Sequence, residues 1–447
     1  MSGKPVEIKE VELSFELQHP EAEFTFGKAV AGSLTFAHAR VRIEDSNGQQ
    51  ADGWGAILLS YPWAFPSANL DDPTRDEAMR ELLRHASDAV KKQAAGHPID
   101  HFLQLETELS SLENTVSESH AGGETIPRLA TLVAISPLDA AIHDAYGRLY
   151  SVSSFDTLGR AYTGWSVSDI LGPEFSGIEL DSILRSSPVE QLPIYHTVGA
   201  SDSIRSGEDK PGVEDWIRED GVFAFKVKLK GQDAEWDAAR LLDVYRLGYA
   251  INGDRTRLFA DLNEQAPSLG YVQGLLDTWA ESEPGLLRAL DAIEQPDQRD
   301  MNAAAMDFKS LDHPVTIALD EGLVNLKAIQ RAADLGYKGL CLKTCKTQSL
   351  TLLSLVLAEK LGLSVTVQDL TNPGIALHQS LGMAARLPNT MPIETNQRQF
   401  YPHASAPEKA VWPSIFGVTD GQVDLREIVG SGFGFDPTKI DREIFHN

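Results

Sequence analysis

Cysteine is nearly absent from this chain: Cys341 and Cys345 are the only two in 447 residues. That scarcity excludes a fold stapled by disulfides. No segment near the start joins a basic stretch to an apolar core, so the expectation is a cytoplasmic protein rather than a secreted one. With no second Cys or His pair nearby, the two thiols make no metal clip and are expected to be buried. Long apolar runs are missing as well; none approaches the ~20 residues a bilayer span requires, so no membrane insertion is expected. Positive charge is scarce, with 39 Lys and Arg against 65 Asp and Glu and a formal charge of −26. Nucleic-acid backbones and anionic membrane surfaces are gripped by clustered Lys and Arg, so neither is expected as a partner. Short repeats and low-complexity tracts are also missing.

What is present is periodicity of two kinds. From Val6 to Leu59 apolar residues alternate, with Leu34, Phe36, Ala39, Val41 and Ile43 on one strand, a turn at Asp45 to Gly48, and a second strand from Trp54 to Leu59. An antiparallel sheet follows from that alternation. Arg75 to Ala95 and Ser136 to Leu149 show helical spacing, the latter with Ser136 as cap and Pro137 in the first position. Residues 1–150 therefore read as an α+β domain. Ala161 to Pro188, rich in Ser, Gly and Pro, reads as a linker or inserted lid.

After residue 190 the pattern changes. Strand-like runs recur at Leu192–His196, Ala224–Leu229, Arg257–Asp261, Ala292–Glu294, Thr316–Asp320, Gly339–Lys343 and Ser364–Gln368, with amphipathic helices between most of them. Such alternation predicts a parallel sheet with right-handed crossovers, and seven strands in sequence favour a closed barrel of roughly 250 residues. Reactive groups in such a barrel belong at the C-terminal strand ends. Asp261, Glu294 and Asp320 each end a run, 33 and 26 residues apart. Three carboxylates from successive strands suit a hard divalent cation that takes oxygen ligands and keeps positions for water or substrate.

Lysines complete the set. In Phe225–Gly231, period-two alternation sends Lys226, Lys228 and Lys230 to one face and Phe225, Val227 and Leu229 to the other. The apolar face must meet the helices, so the lysines point inward, where each needs a carboxylate, an anion or a lowered pKa. Lys343, sharing a face with Cys341, repeats the arrangement on the sixth strand, across the mouth from the second.

The ordered set Lys226-Val-Lys228, Asp261-Leu-Asn263, Glu294-Gln-Pro296, Asp320-Glu321 and Lys343 resembles the enolase superfamily, within its mandelate racemase/muconate lactonizing enzyme family the two-lysine muconate lactonizing subgroup. Ser136 to Arg148 resembles the family's helix before the barrel, Val41 to Gly55 its N-terminal hairpin, and Ala376 to Pro388 the helix after the seventh strand. The resemblance implies an α/β fold, a modified (β/α)7β TIM-type barrel, with an N-terminal α+β capping domain. Residues 1–150 would form the cap, 151–190 a linker or insertion, 191–415 the barrel, and 416–447 a segment returning to the cap. It implies Mg²⁺, with Mn²⁺ as a possible substitute, on Asp261, Glu294 and Asp320, and Lys228 and Lys343 as an acid/base pair aided by Lys226. The substrate would be a small carboxylate losing its α-proton to give a metal-stabilised enediolate. Racemisation, epimerisation or cycloisomerisation would follow, with dehydration as the alternative, and the protein would assemble as a dimer or octamer. Neighbouring cations, Lys226 beside Lys228 and Lys346 one turn past Lys343, would depress the lysine pKa values.

Several assignments stay open at the level of sequence. Lys228 and Lys230 can form the pair if the register shifts, and Glu321 can replace Asp320 as ligand. Asn263 reads as an outer ligand, a substrate contact or a turn residue, and Asp369 as a site residue or a cap. His196 reads as a substrate contact or a packing residue, while His378 and His143-Asp144 read as structural. Relatives carry Gly-Gly where this chain has Thr347-Gln348, and they also carry an apolar residue where it has Lys230. Two loops would shape the pocket: His19–Lys28, with Phe24 and Phe26, and Ser60–Ser67, where Tyr61, Trp63 and Phe65 make either an aromatic lid or a packing patch. A Schiff-base lyase and a non-catalytic barrel are the rival readings.

Overall fold

The computed structural model describes residues 3–21, 24–26, 29–206, 211–303, 305–389 and 391–445, the side chains of 24–26 and 29–31 excepted. β1 (Val6–Gln18), β4 (Leu34–Asp45) and β5 (Gln50–Leu58) form an antiparallel sheet, while β2 (Phe24–Phe26) and β3 (Ala29–Ala31) pair antiparallel in a separate two-stranded sheet. The expected turn is there: Gly48 N donates to Asp45 O, and Gly48 has a left-handed φ of 78°. Of the His19–Lys28 loop, residues 22–23 and 27–28 and the side chains of Phe24 and Phe26 lie outside the described residues.

Five helices follow: α1 (Tyr61–Ala64), α2 (Asp72–Val90), α3 (Pro98–Glu106), α4 (Leu109–His120) and α5 (Arg128–Leu149). The last corrects the sequence reading, since Ser136 does not cap it and Pro137 lies inside it. The first half of α5 is apolar on every side and buried, so no amphipathic pattern marks its start. Pro137 has no N–H for the carbonyl of Val133, and the Ser136 hydroxyl donates to that carbonyl instead, at 2.9 Å. Gly53 and Gly55 let β5 lie directly on this helix; a Cβ at either would collide with the backbone of Ala145 or Pro137.

The second sheet is the expected barrel. Seven parallel strands run in order: β6 (Gln191–Val198), β7 (Ala224–Lys228), β8 (Arg257–Asp261), β9 (Leu290–Glu294), β10 (Ile317–Leu319), β11 (Gly339–Leu342) and β12 (Ser364–Val367). An eighth, β13 (Ile393–Glu394), pairs with β6 and meets the end of β12 through a Gln368–Glu394 bridge, which closes the circle. β14 (Gln422–Asp424) pairs antiparallel with β6 outside it. The stretch after α5 is a series of short helical turns, one of which, Leu180–Ile183, packs on the barrel helix Gln348–Leu361. Near the C-terminus, Phe433 N donates to Asp144 Oδ1 of α5, and Trp54 Nε1 donates to Ile444 O.

Side chains fill the barrel in layers, as alternation demands. Tyr195, Ala224, Phe259, Ala292, Ala318 and Cys341 form a buried apolar plug, the three alanines leaving room for two rings 5.3 Å apart. Two residues further along each of these strands stand Thr197, Lys226, Asp261, Glu294, Asp320 and Lys343. The candidate site therefore lies directly on a dry floor. Cys341 belongs to that floor, and both thiols are buried and unpaired, as expected.

Candidate active site

The polar layer at the barrel mouth is an alternating lattice of ammonium and carboxylate groups. Lys226 donates to Glu294 Oε1 at 2.9 Å and Glu394 Oε2 at 3.0 Å, and lies 3.2 Å from Asp261 Oδ2. Lys228 donates to Asp261 Oδ2 at 2.6 Å and to Asn263 Oδ1 at 3.1 Å. Across the mouth, Lys343 donates to Asp320 Oδ2 at 2.8 Å, and Lys346 donates to Asp320 Oδ1 at 3.0 Å. Gln368 Nε2 reaches Glu294 Oε2 at 2.7 Å. Asp261, Glu294 and Asp320 are fully buried, and Lys226, Lys228 and Lys343 are 1%, 7% and 4% exposed.

The electrostatics follow from crowding like charges out of water. Burial raises Glu294, and Asp261 and Asp320 add to the effect, so its carboxyl stands well above the ordinary range despite Lys226. Burial also opposes ionisation of Asp320, but Lys343 and Lys346 outweigh it and hold the carboxyl well below the usual range. Lys343 corrects the expectation of a depressed lysine. Burial lowers it and Lys226 lowers it further, yet Asp320 wins and lifts the ammonium well above its ordinary value. Burial pushes Glu321 up to about 7, with Asp320 and Glu264 assisting.

As they stand, no three His, Cys, Asp or Glu side chains among the described residues converge closely enough to hold a metal ion. Lysine ammonium groups stand between the carboxylates instead. The donor chemistry nonetheless fits a hard dication: three buried carboxylates on successive strands, Asp261 and Glu294 in direct register. Asp261, Glu294 and Asp320 are the residues that would hold it.

The backbone is bent to serve this layer. Asn263, Glu264, Gln295, Thr347, Leu370 and Thr371 all have positive φ, six of the eight such non-glycine residues among those described, and all follow barrel strands. Strained conformations of this kind cluster at functional sites. Gln295, at φ 34°, accepts from Asp320 N at 2.9 Å and Gly322 N at 3.1 Å, tying the second and third carboxylate strands together.

The remaining sequence candidates divide. Asn263 joins the lattice, its Nδ2 donating to Glu321 Oε1, and Trp63 Nε1 donates to the same oxygen at 3.0 Å. Trp63 also covers Lys343 with its ring. Tyr61, on the same short helix, turns instead toward Arg75, whose guanidinium sits 4.9 Å from its ring centre. Lys230 is exposed, its ammonium over the Trp236 ring, so Lys226 and Lys228 are the inward pair. His196 contacts the Trp216 ring, Arg398 and Gln399, away from the lysines. Asp369 accepts from Thr371 N and so caps its own turn; burial, with Glu394 nearby, pushes its carboxyl up to about 8.

Glu394, Gln368 and Gln295 are the residues that sequence reasoning left without a role in the layer, while Lys346, expected to depress Lys343, pairs with Asp320 instead. Glu394 ends the eighth strand and is pulled below the usual carboxylate range by Lys226, Lys228 and Lys343 against the cost of burial.

Residues 211–439 match the family model described as enolase C-terminal domain-like. The chain belongs to the enolase superfamily. It is of the mandelate racemase/muconate lactonizing enzyme-like kind, and the superfamily's enzymes are isomerases or lyases. No curated protein matches it. Among solved structures it is similar to the muconate lactonizing enzyme from Mucobacterium smegmatis complexed with muconolactone (16% identity, 98% of each chain, TM-score 0.64). It is likewise similar to the mandelate racemase/muconate lactonizing enzyme from Bordetella bronchiseptica RB50 (18%, 97% of each chain, TM-score 0.62). The L-Ala-D/L-Glu epimerase from Bacillus subtilis matches 96% of this chain with 98% of its own (14%, TM-score 0.62). At these identities the likeness concerns the fold. Among the described residues of this superfamily member, no helix is long and apolar enough to cross a membrane.

Proposed function

We propose that this superfamily member is a two-lysine enzyme that removes the proton next to a carboxylate and works with Mg²⁺, for which Mn²⁺ can substitute. The observation that carries the reading is the pairing of two buried lysines, four strands apart around an eight-stranded barrel, with two different carboxylates: Lys228 with Asp261 and Lys343 with Asp320. Asp261, Glu294 and Asp320 would hold the cation, whose charge on the substrate carboxylate makes the neighbouring C–H acidic.

Lys228 Nζ, oriented by Asn263 Oδ1, takes the proton from one side of the α-carbon. Lys343 Nζ, roofed by Trp63, serves the other side. A lysine that accepts a proton must first be neutral, and Lys343 is now held charged by Asp320 against the cost of its burial. Engaging Asp320 elsewhere would remove the hold. Lys226 stays charged between Glu294 and Glu394 and supplies fixed positive potential rather than a proton. The buried layer, the apolar floor and Trp63 together exclude water. Two bases on opposite sides suit racemisation or epimerisation, and cycloisomerisation begins with the same step. Dehydration is the second reading, sharing that step and differing only in the group that leaves.

The test is a screen of carboxylic acids in D₂O with Mg²⁺, read by mass spectrometry for deuterium at the α-carbon. Wild type exchanges at least one acid, EDTA stops it, and Lys228→Ala and Lys343→Ala each lose exchange from one face. Undiminished exchange in both single variants sinks the assignment.

A further inference from the structure

Lys343 directly follows β11, and a short turn leads from it into the barrel helix Gln348–Leu361. That turn is held in a strained form. Thr347, a β-branched residue, stands at φ 76° and ψ 146°, a region that glycine alone enters freely. Such strain persists only where the surrounding contacts over-determine it. The barrel supplies some of them: Thr347 Oγ1 accepts from Leu350 N at 3.1 Å, the Thr351 hydroxyl lies 2.8 Å from Thr347 O and 3.1 Å from Lys343 O, and Gln379 Nε2 donates to Gln348 Oε1 at 3.0 Å.

The remaining contacts come from the cap. Asp139 of α5 accepts from Ser349 N at 2.9 Å through Oδ2 and from the Ser349 hydroxyl at 2.6 Å through Oδ1. His143, one turn further along α5, meets the same hydroxyl at 2.9 Å; since the hydroxyl proton goes to Asp139, the ring Nε2 is the donor. All three residues are buried. A buried carboxylate is costly unless it is bonded, and here both oxygens serve the start of a helix, where unpaired N–H groups and the helix dipole favour negative charge. The turn in turn sets the reacting layer. Lys346 N donates to Lys343 O at 2.9 Å, and the two ammonium groups converge on Asp320, Lys343 on Oδ2 and Lys346 on Oδ1. Lys228, by contrast, sits within β7 and is held by Asp261 and Asn263, both barrel residues.

We propose that Asp139 is a positioning residue for Lys343: through Ser349 the cap holds the strained turn at Thr347, and the turn places Lys343 and Lys346 on Asp320. The two bases are then set independently, Lys228 by the barrel and Lys343 by the docking of cap helix α5. The assignment rests on the proposed function, which makes Lys343 the base on one side of the α-carbon. Loss of Asp139 therefore removes proton transfer from that side and spares the other.

Two measurements on the full-length protein test it. Trace acetylation with acetic anhydride, mapped by mass spectrometry, reads how firmly each lysine is held; α-proton exchange in D₂O, followed separately from each enantiomer of an exchanged acid, reads each face. In Asp139→Ala the acetylation of Lys343 rises severalfold relative to Lys228, and exchange from the Lys343 face falls about tenfold or more while the Lys228 face keeps its rate. Asp139→Asn, which retains an oxygen for Ser349 N, falls between the two and guards against simple misfolding. Adding Thr347→Gly to Asp139→Ala restores part of the lost exchange, because glycine takes φ 76° without strain. An unchanged ratio of Lys343 to Lys228 acetylation, or equal loss from both faces, overturns the assignment. A wild type that exchanges no acid removes the proposed reaction instead, and the acetylation ratio still decides whether Asp139 holds Lys343.

Discussion

Trp63 holds the face of its ring 4.5 Å from Lys343 Nζ. Its Nε1 donates to Glu321, and its carbonyl accepts from Arg299, which is itself clamped on Glu264. One residue of the cap thus touches a candidate base, the buried acid next to Asp320 and the arginine clamped on Glu264. Trp63→Phe keeps a ring over Lys343 but leaves Glu321 with one fewer donor. Losing such a bond costs about 1–3 kcal/mol, so kcat/KM for α-proton exchange should fall about tenfold with folding intact. Trp63→Ala also removes the roof and should fall further. Equal rates in wild type and both variants would make Trp63 a packing residue only.

That contact explains why the sequence could be read part of the way. Strand and helix alternation after residue 190 marks the barrel, because each strand must be apolar toward the helices, and five of the seven strands, β7 to β11, carry a charged residue at the end in the same phase. The inward direction of Lys226 and Lys228 follows from Phe225 and Val227 facing the other way. Glu394 was illegible for a physical reason: its strand is two residues long, follows Pro392, and has no period to detect. The start of α5 was hidden because a helix buried on all sides has no polar face. Tyr61 and Trp63 look alike in sequence, and only the turn of a four-residue helix sends one to the site and the other to Arg75. A proline two residues before Glu394 and a glutamine directly after Glu294 were the available signals for two of the unread site residues.

Gln295 supports Asp320 without touching any lysine. Its Oε1 accepts from Asp320 N and Gly322 N, and its Nε2 donates to Asp297 O. Gln295→Ala strands two buried N–H groups, which should cost about 1–3 kcal/mol in urea unfolding. Because supporting residues set ligand geometry, Mg²⁺ affinity should drop about 10–100-fold by calorimetry. Gln295→Glu, which keeps an acceptor oxygen, should recover part of both. A loss of stability with unchanged Mg²⁺ affinity would count against Asp320 as a ligand.

His97 caps α3 at the cap–barrel boundary. Its Nδ1 accepts from Ile99 N, and its Nε2 lies 3.2 Å from Thr157 O, so the neutral ring satisfies both. Burial, with His101 nearby, lowers its pKa from 6.5 to about 3. The unfolded chain therefore takes up a proton below pH 6.5 that the native state refuses. Stability from this group is constant above pH 6.5 and is lost as pH falls from 6.5 toward 3, by about 1.4 kcal/mol per pH unit. His97→Asn keeps a capping acceptor and should flatten the stability–pH slope by that amount between pH 6 and 4, measured by urea unfolding. Parallel slopes would show that the ring is protonated in the native protein.

Lys226 is the keystone of the charge lattice, and its removal separates the metal reading from a purely structural one. Its ammonium touches Asp261, Glu294 and Glu394, all buried, and Glu294 already stands above the ordinary carboxylate range. Lys226→Met takes that charge away while preserving bulk. Breaking a buried ion pair from one side costs about 3–5 kcal/mol, so urea unfolding without divalent ions should show a loss of that size. Mg²⁺ binding to Asp261 and Glu294 would replace the missing charge, and linkage then requires Mg²⁺ to stabilise the variant more than wild type. If saturating Mg²⁺ raises neither protein's unfolding midpoint, the carboxylate layer is a lysine-neutralised core and the metal reading fails. A larger shift in the variant ties Glu294 to the cation without any measurement of catalysis.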